Sequence, residues 1–231
     1  MRYVSLFSGI EAATVAWHPL GWEPDAFAEI ERFPAALLAY HYPGVPNLGD
    51  VSTINYAPYC GIDLLVGGSP CQAFSVAGLR QSLKDARGNL TLEYVRAVHA
   101  IRPRYAVWEN VPGVLSTPDN AFGCFLAALV GADEALEIEE GWPCAGMVSG
   151  PAGSAAWRVL DAQYFGLAQR RQRVFLVWCP GDGADPAAIL FERPRVLGHP
   201  PARGEAGQGA THGVAGGLGA SGRGFSRGGR E

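Results

Sequence analysis

The stretch DLLVGGSPCQ at residues 63–72 is the most informative part of the sequence for predicting the fold. Its apolar residues 64–66 predict a short buried strand, which ends at two glycines. Ser69-Pro70 then predicts a rigid turn, so that Cys71 lies at the end of the sheet and not in its core. A thiolate is the strongest nucleophile that side chains offer, and nearby dipoles or cations lower the pKa of a thiol. We therefore predict that Cys71 is a catalytic nucleophile.

On either side of this strand, short apolar segments alternate with segments of helical periodicity. Strands are predicted at residues 3–7, 25–30, 63–66, 105–108 and 173–178, and helices at residues 10–17, 32–40, 90–101 and 122–130. This alternation predicts an α/β fold, in which a doubly wound and mostly parallel sheet carries helices on both faces. Ligands of such sheets bind outside the carboxyl ends of the strands.

Composition restricts the class of protein and its partners. The chain has 231 residues, 48% of them hydrophobic, which is enough for one α/β domain with its own core. The net charge of -4 excludes a global positive field, so a nucleic-acid partner has to be held by local basic clusters. Three clusters qualify, although each also fits a solvated surface: Arg80/Lys84/Arg87, Arg102/Arg104 and Arg170/Arg171/Arg173.

The five cysteines are odd in number and scattered, without the CxxC spacing of a zinc site. This pattern predicts neither disulfides nor a metal centre, and it fits a reducing cytoplasm. Apart from Cys71, we interpret them as small core residues: Cys60, Cys124, Cys144 and Cys179. Glu11 interrupts the apolar N-terminal stretch, so we expect neither a signal peptide nor a membrane span there.

Three polar segments follow the first predicted strands. Ser8-Gly9 begins a strand-to-helix turn whose backbone N–H groups can face a ligand, although any doubly wound protein needs a tight turn there. Glu29 can accept both ribose hydroxyls of a nucleoside cofactor, or it is a solvated strand end. Asp50-Val51 can accept a hydrogen bond from an adenine amino group and pack on its ring, or it is a plain turn.

Two later segments carry the remaining chemistry. Glu109 ends an apolar strand beside Trp108 and is suited to donate a proton, or it is an exposed acidic cap. Strand alternation predicts one common face for Gln169, Arg171 and Arg173, where they suit carbonyl and phosphate groups. The alternative interpretation is an edge strand protected by its charges.

In this order, the segments resemble the motifs of the DNA cytosine-5 methyltransferases, especially the compact bacterial and phage members. The matching segments are residues 5–10, Glu29, 50–51, 70–72, 85–90, 109–111, 164–166 and 169–173. The ordered set covers roughly the first 180 residues and is far more specific than any single motif. Glu11 departs from the family pattern, where Gly is frequent, and Ala168 stands where Pro usually precedes the Gln.

The resemblance implies the Rossmann-like fold of S-adenosylmethionine-dependent methyltransferases, with double-stranded DNA as substrate and a flipped target base. It implies that Cys71 adds to carbon 6 of cytosine and that Glu109 holds or protonates ring nitrogen 3. Arg173 would contact the 2-keto oxygen, with Arg171 supporting it. Residues 72–88 would form a loop that closes over the base. The residues implied to hold the cofactor are Phe7, Ser8, Gly9, Ile10, Glu29, Ile30, Asp50, Val51, Pro70 and Leu90.

We expect a catalytic domain at residues 1–180, a connector at 181–197 and a Gly-rich, disordered tail at 198–231. The family pattern continues into a target-recognition region and two further motifs, which are not recognisable in the tail. We therefore expect the catalytic part of a bacterial or phage enzyme, with a partner chain or a further C-terminal segment choosing the target. Two alternatives are a non-catalytic remnant that binds S-adenosylmethionine or DNA, and a methyltransferase that acts on tRNA.

Overall fold

The computed structural model describes residues 1–70, 89–139 and 141–191. The predicted nucleophile Cys71, the predicted closing loop 72–88, the Arg80/Lys84/Arg87 cluster and the predicted tail 198–231 therefore lie outside the described residues. Contacts divide the chain into two units. Within the described ranges, the first comprises residues up to Leu160 together with residues 172–191, and the second comprises Asp161–Arg171.

The described strands form one seven-stranded sheet in the order β2-β1-β3-β4-β7-β6-β5. β1 pairs in parallel with β2 and β3, β3 pairs in parallel with β4, and β7 runs antiparallel to β4. This mixed α/β sheet confirms the predicted fold class. The strands are β1 (Arg2–Leu6), β2 (Glu23–Ala28), β3 (Leu64–Gly67), β4 (Tyr105–Asn110), β5 (Ala145–Gly150), β6 (Gly153–Asp161) and β7 (Gln172–Pro180).

The helices are α1 (Ala12–Trp17), α2 (Arg32–His41), α3 (Leu90–Ile101), α4 (Ala121–Val130) and α5 (Pro186–Leu190). Helix α1 begins two residues later than predicted because the backbone at Gly9 and Glu11 is left-handed. In the described ranges, none of the helices is both long enough and apolar enough to cross a membrane.

The sequence did not predict the β5–β6 hairpin or helix α5. Strand β5 contains two glycines, which weaken the strand pattern. Both glycines make close approaches: a Cβ added at Gly146 would lie 2.4 Å from the Trp157 ring, and one at Gly150 would lie 2.5 Å from the Val130 carbonyl oxygen. Tertiary packing therefore forms this strand from residues whose local preference is weak.

The sheet divides its side chains between two faces. On one face Trp108 is fully buried and packs beside Phe122 and Phe125 of α4, with ring centroids 6.4 and 4.5 Å away. On the other face the Tyr3 ring meets the Trp17 ring edge-on, with centroids 5.2 Å apart. The core prediction for the cysteines is correct for Cys124 and Cys179. It is wrong for Cys60, which lies in a surface turn, and for Cys144, which precedes the edge strand β5.

Candidate active site at the carboxyl ends of the strands

The turn after β1 is fastened to the end of β2. The Ser8 amide N–H donates to the Ala28 carbonyl oxygen at 3.2 Å, and the Gly9 amide N–H donates to Glu29 Oε2 at 2.7 Å. Gly9 adopts φ 55°, a left-handed conformation that glycine enters without steric cost. The structure thus brings together three residues of the predicted cofactor set, Ser8, Gly9 and Glu29.

Glu11, which departs from the family's glycine, adopts φ 64° and turns its side chain inward, where it is 1% exposed. Its carboxylate accepts hydrogen bonds from Ser5 Oγ at 2.7 Å, the Thr14 amide N–H at 3.1 Å and Thr14 Oγ1 at 3.0 Å. The side chain therefore caps helix α1. Burial raises the pKa of this carboxyl group above its ordinary value.

Sequence reasoning missed Asn47, which connects Glu29 to the segment around Asp50. Its side-chain amide bonds both backbone groups of Glu29, accepting from the N–H at 3.0 Å and donating to the carbonyl at 3.0 Å. The Asp50 carboxylate accepts from the Ser52 amide N–H at 2.9 Å, which caps the 3-10 helix Val51–Thr53 and lowers the pKa of Asp50. A single asparagine in a polar loop gave no pattern from which this role could be predicted.

The apolar members of the predicted cofactor set divide into two groups. Phe7, Val51 and Leu90 pack against the main hydrophobic core, whereas Ile10 and Ile30 are 62% and 66% exposed. Together with the Glu29 carboxylate, the two exposed isoleucines offer apolar surface and hydrogen-bond acceptors at neighbouring strand ends. This combination of side chains fits an adenosine group, which needs an apolar contact for its base and hydrogen-bond acceptors for its ribose hydroxyls.

A buried polar cluster holds the chain just before Cys71. The Trp108 indole N–H donates to Ser69 Oγ at 3.0 Å, and the hydroxyl groups of Ser69 and Thr91 share a hydrogen bond of 2.9 Å. Asn110 Nδ2 donates to the Ser69 carbonyl oxygen at 3.0 Å. All four residues are at most 5% exposed, whereas Pro70 is exposed. Since buried polar groups need partners, this cluster fixes the path of the backbone leading to Cys71.

Glu109 and Arg173 form an ion pair, with 2.9 Å between Glu109 Oε1 and Arg173 Nε. In the antiparallel register Glu109 lies opposite Phe175, so Arg173 is its diagonal neighbour on the same face. Glu109 lies within β4 and not after it, and Trp108 faces the opposite side of the sheet. Gly68 approaches the pair, because a Cβ added there would lie 3.2 Å from Glu109 Oε2.

Arg171 belongs to the second unit, in a loop that closes on itself. Asp161 Oδ1 accepts from the Arg171 amide N–H at 3.0 Å, and the Ala162 amide N–H donates to the Arg171 carbonyl oxygen at 3.0 Å. Because β7 begins at Gln172, the prediction that alternation puts Gln169 and Arg171 on a strand face with Arg173 is wrong. The edge-strand alternative is also wrong, since β7 lies between β4 and β6.

The basic cluster of Arg102 and Arg104 does not lie at the candidate site. Arg102 ends helix α3 and Arg104 precedes β4, so both are at the amino end of that strand, away from the candidate site. The Arg104 guanidinium carbon lies 5.2 Å from the centre of the Tyr105 ring.

Comparisons with known proteins match most of this chain. A sequence model of the family described as C-5 cytosine-specific DNA methylase matches residues 1–183. A protein named DNA N-6-adenine-methyltransferase, from Escherichia phage P1, is 49% identical over 225 residues, which cover 82% of this chain and 30% of that protein. The type II methyltransferase M.AquIA from Picosynechococcus is 31% identical over 185 residues, which cover 76% of this chain and 71% of that protein.

The chain spans less than half the length of several curated relatives that it matches, including 32% of an orphan methyltransferase from Bacillus phage rho11s. Among solved structures, a Spodoptera frugiperda DNMT2 mutant has a TM-score of 0.60 at 18% identity, over 86% of this chain and 57% of that one. The Dnmt2 methyltransferase of S. pombe has a TM-score of 0.55 at 13% identity, over 84% and 56% of the two chains. These structures share the fold with this chain.

Proposed function

The chain belongs to the C-5 cytosine-specific DNA methylase family, and on that premise we propose that it methylates carbon 5 of cytosine in DNA through a covalent adduct at Cys71. The cofactor of the family is S-adenosylmethionine, which when bound supplies an electrophilic methyl group on its sulfonium sulfur. Residues after β1 and β2 and in the turn at Asp50 would hold it: Glu29 would accept from the ribose hydroxyls, Asp50 would accept from the adenine amino group, and Ile10 and Ile30 would cover the base.

The observation that carries this proposal is the ion pair of Glu109 and Arg173 beside the backbone of Gly68. In cytosine, ring nitrogen 3 and the 2-keto oxygen are adjacent acceptors on one edge. A glutamic acid that, once protonated, donates to the nitrogen and a guanidinium that donates to the oxygen therefore have to stand side by side, as Glu109 and Arg173 do. The described segment 68–70, which directly precedes Cys71 in the sequence, begins at the same place, and this supports the proposal that nucleophile and acid act on one ring.

The combination of Cys71, Glu109 and Arg173 suits the activation of carbon 5 of cytosine. Carbon 5 of cytosine is a poor nucleophile until the Cys71 thiolate adds to carbon 6, while Glu109 delivers a proton to nitrogen 3. Carbon 5 then takes the methyl group. The proton on carbon 5 passes to water, and the ring double bond re-forms as the bond between carbon 6 and sulfur breaks. Cys71 departs as a thiolate, and nitrogen 3 returns its proton to the Glu109 carboxylate. Arg173 holds the 2-keto oxygen throughout and neutralises charge that develops on it.

Methylation of the adenine amino group is a second candidate, because the phage P1 relative is named for that reaction. This chain covers only 30% of that protein, so most of the named protein lies outside the match. An exocyclic amine carries its own nitrogen nucleophile and needs no cysteine adduct. Adenine also lacks a 2-keto oxygen for Arg173, so the described acid and arginine favour cytosine.

The proposal is tested by incubating the purified chain with methyl-labelled S-adenosylmethionine and unmethylated double-stranded DNA of mixed sequence. Mass spectrometry of the digested nucleosides should find the label in 5-methyldeoxycytidine. Cys71→Ser should abolish the label. Cys60→Ser is the matched control, because Cys60 is exposed in a surface turn and should leave the reaction unchanged.

Other outcomes identify the competing functions. Label in N6-methyldeoxyadenosine would replace cytosine by adenine as the target. Label that appears only with tRNA would move the same chemistry to RNA. Calorimetric binding of S-adenosylhomocysteine without transfer to either substrate would leave a non-catalytic binding protein.

A further inference from the structure

Asn47 lies beside β2, in a segment that extends the sheet by a single residue. Phe27 and Asn47 form an isolated parallel bridge. The Phe27 amide N–H donates to the Pro46 carbonyl oxygen at 2.9 Å, and the Leu48 amide N–H donates to the Phe27 carbonyl oxygen at 2.7 Å. On this side of β2, backbone pairing with residues 46–48 is confined to Phe27.

The Asn47 side chain continues that pairing beyond the end of the strand. Its Oδ1 accepts from the Glu29 N–H and its Nδ2 donates to the Glu29 carbonyl oxygen, each at 3.0 Å. A primary amide has the same donor and acceptor as a peptide unit, so it satisfies Glu29 as a neighbouring strand would. Glu29 is therefore held on both backbone groups although β2 ends at Ala28.

The same oxygen also fixes the turn that leads to Asp50. Asn47 Oδ1 accepts from the Gly49 N–H at 3.1 Å, and Gly49 makes the turn at φ 72°. Asp50 then begins the 3-10 helix Val51–Thr53. One side chain therefore sets the spacing between the ribose-binding carboxylate and the adenine-binding segment.

We propose that Asn47 is a positioning residue for S-adenosylmethionine, which it serves without contacting it, by holding Glu29 and the Asp50 turn in one arrangement. This inference rests on the proposed function. The Glu29 carboxylate accepts from Gly9 N and Glu31 N, both at 2.7 Å, so these two amides orient the carboxylate while Asn47 holds the Glu29 backbone. The Asn47 hydrogen bonds are exposed to solvent and stabilise the fold little, whereas preorganisation of a site raises affinity directly.

The test is calorimetric titration of S-adenosylhomocysteine into the wild type and three variants. Asn47→Ala should weaken binding by ~10-fold, because the three side-chain hydrogen bonds that preorganise the site are lost. Asn47→Asp should weaken it at least as much, since it sets a carboxylate oxygen against the Glu29 carbonyl and a negative charge near the Glu29 carboxylate. Asn55→Ala is the matched control.

Asn55 is also exposed and also accepts from the amide N–H two residues ahead, that of Ala57 at 3.1 Å, but no hydrogen bond joins it to Glu29. Its variant should bind S-adenosylhomocysteine like the wild type. In Asn47→Ala, KM for S-adenosylmethionine should rise by the factor seen in calorimetry, while kcat at saturating cofactor and the unfolding temperature stay close to the wild-type values. A merely structural role would lower the unfolding temperature and leave the affinity of the folded protein unchanged.

The possible failures are distinguishable. Wild-type binding together with unchanged affinity in Asn47→Ala would overturn the role of Asn47 and leave the cofactor site intact. Equal losses of affinity for S-adenosylhomocysteine in Asn47→Ala and Asn55→Ala would also overturn the role of Asn47. A wild-type chain that binds no S-adenosylhomocysteine would overturn the cofactor site, and the role of Asn47 with it.

Discussion

At the ends of β1 and β2, side chains mostly bond backbone groups of the turns, whereas beyond the end of β3 buried side chains mostly bond one another. The first area, which we call the cofactor region, comprises residues 7–11, 29–30 and 47–51. Gly9 N, Glu29 N and Gly49 N are all bonded there. The second, the acid–arginine region, comprises residues 68–70, Glu109, Asn110 and Arg173, and it depends on the buried cluster of Ser69, Trp108 and Thr91.

Under the proposed function, the difference follows from what each region would recognise. A cofactor would be held by many contacts of moderate strength, so side chains carried on exposed turns suffice. Proton transfer and nucleophilic addition need fixed positions, and buried hydrogen-bonded side chains provide them. We therefore expect changes in the acid–arginine region to affect catalysis or stability strongly, and changes in the cofactor region to have smaller effects.

The largest effect is expected from Glu109→Gln. Its amide cannot deliver a proton to cytosine, so the methyl-transfer rate should fall by ~10²–10⁴-fold. Binding of S-adenosylhomocysteine should persist, because Glu109 is not in the cofactor region. A radiometric assay measures the methyl-transfer rate, and calorimetry measures the binding of S-adenosylhomocysteine. The control Glu139→Gln changes an exposed acid, and a Glu109→Gln rate equal to that of this control would contradict the assignment.

Ser69→Ala should lower the free energy of unfolding by ~1–3 kcal/mol, because the buried Trp108 N–H and Thr91 hydroxyl lose their common partner. Urea unfolding followed by tryptophan fluorescence measures this change. Ser116→Ala is the matched control, since the exposed Ser116 hydroxyl bonds only a nearby carbonyl at 3.4 Å. If both variants unfold at the same urea concentration, the cluster does not hold the chain before Cys71.

Within the cofactor region, the variants Glu11→Gly and Glu11→Ala separate the effect of losing the helix cap from the effect of backbone strain at residue 11. Both lose the cap on α1, but only alanine places a Cβ at φ 64°. The alanine variant should therefore be less stable than the glycine variant by ~1 kcal/mol. Urea unfolding of the pair provides the measurement. Equal stabilities would mean that the turn relaxes to another conformation when the carboxylate is absent.

The smallest effect is the pH dependence of stability that Glu11 contributes. Burial raises its pKa above the ordinary value of 4.5, so above that pH the folded protein retains a proton that the unfolded chain has released. The stability of the wild type should therefore fall, relative to Glu11→Gln, as pH rises from about 4.5 through the folded-state pKa. Parallel curves of unfolding free energy against pH would show that this carboxylate is not penalised by burial.

The sequence predicted the first four strands and the helices between them because their patterns are local. Residues 3–7 and 105–108 are apolar runs bounded by turn signals, and residues 90–101 have helical spacing. The β5–β6 hairpin escaped prediction because glycines occupy positions where larger side chains would collide with Trp157 and Val130. Such close approaches between distant residues cannot be predicted from the pattern of hydrophobic residues.

By itself, the sequence determined which chemical groups the protein carries and in what order, including Ser8-Gly9, Glu29, Asp50, Cys71, Glu109 and Arg173. Only the tertiary structure decided which of these groups meet. Arg173 reaches Glu109 because β7 inserts antiparallel beside β4, and the register of that pairing makes the two residues diagonal neighbours. Asn47 reaches Glu29 because a loop returns to the edge of β2. Local sequence specifies turns and strands, but partners distant in the chain are selected by the packing of the whole sheet.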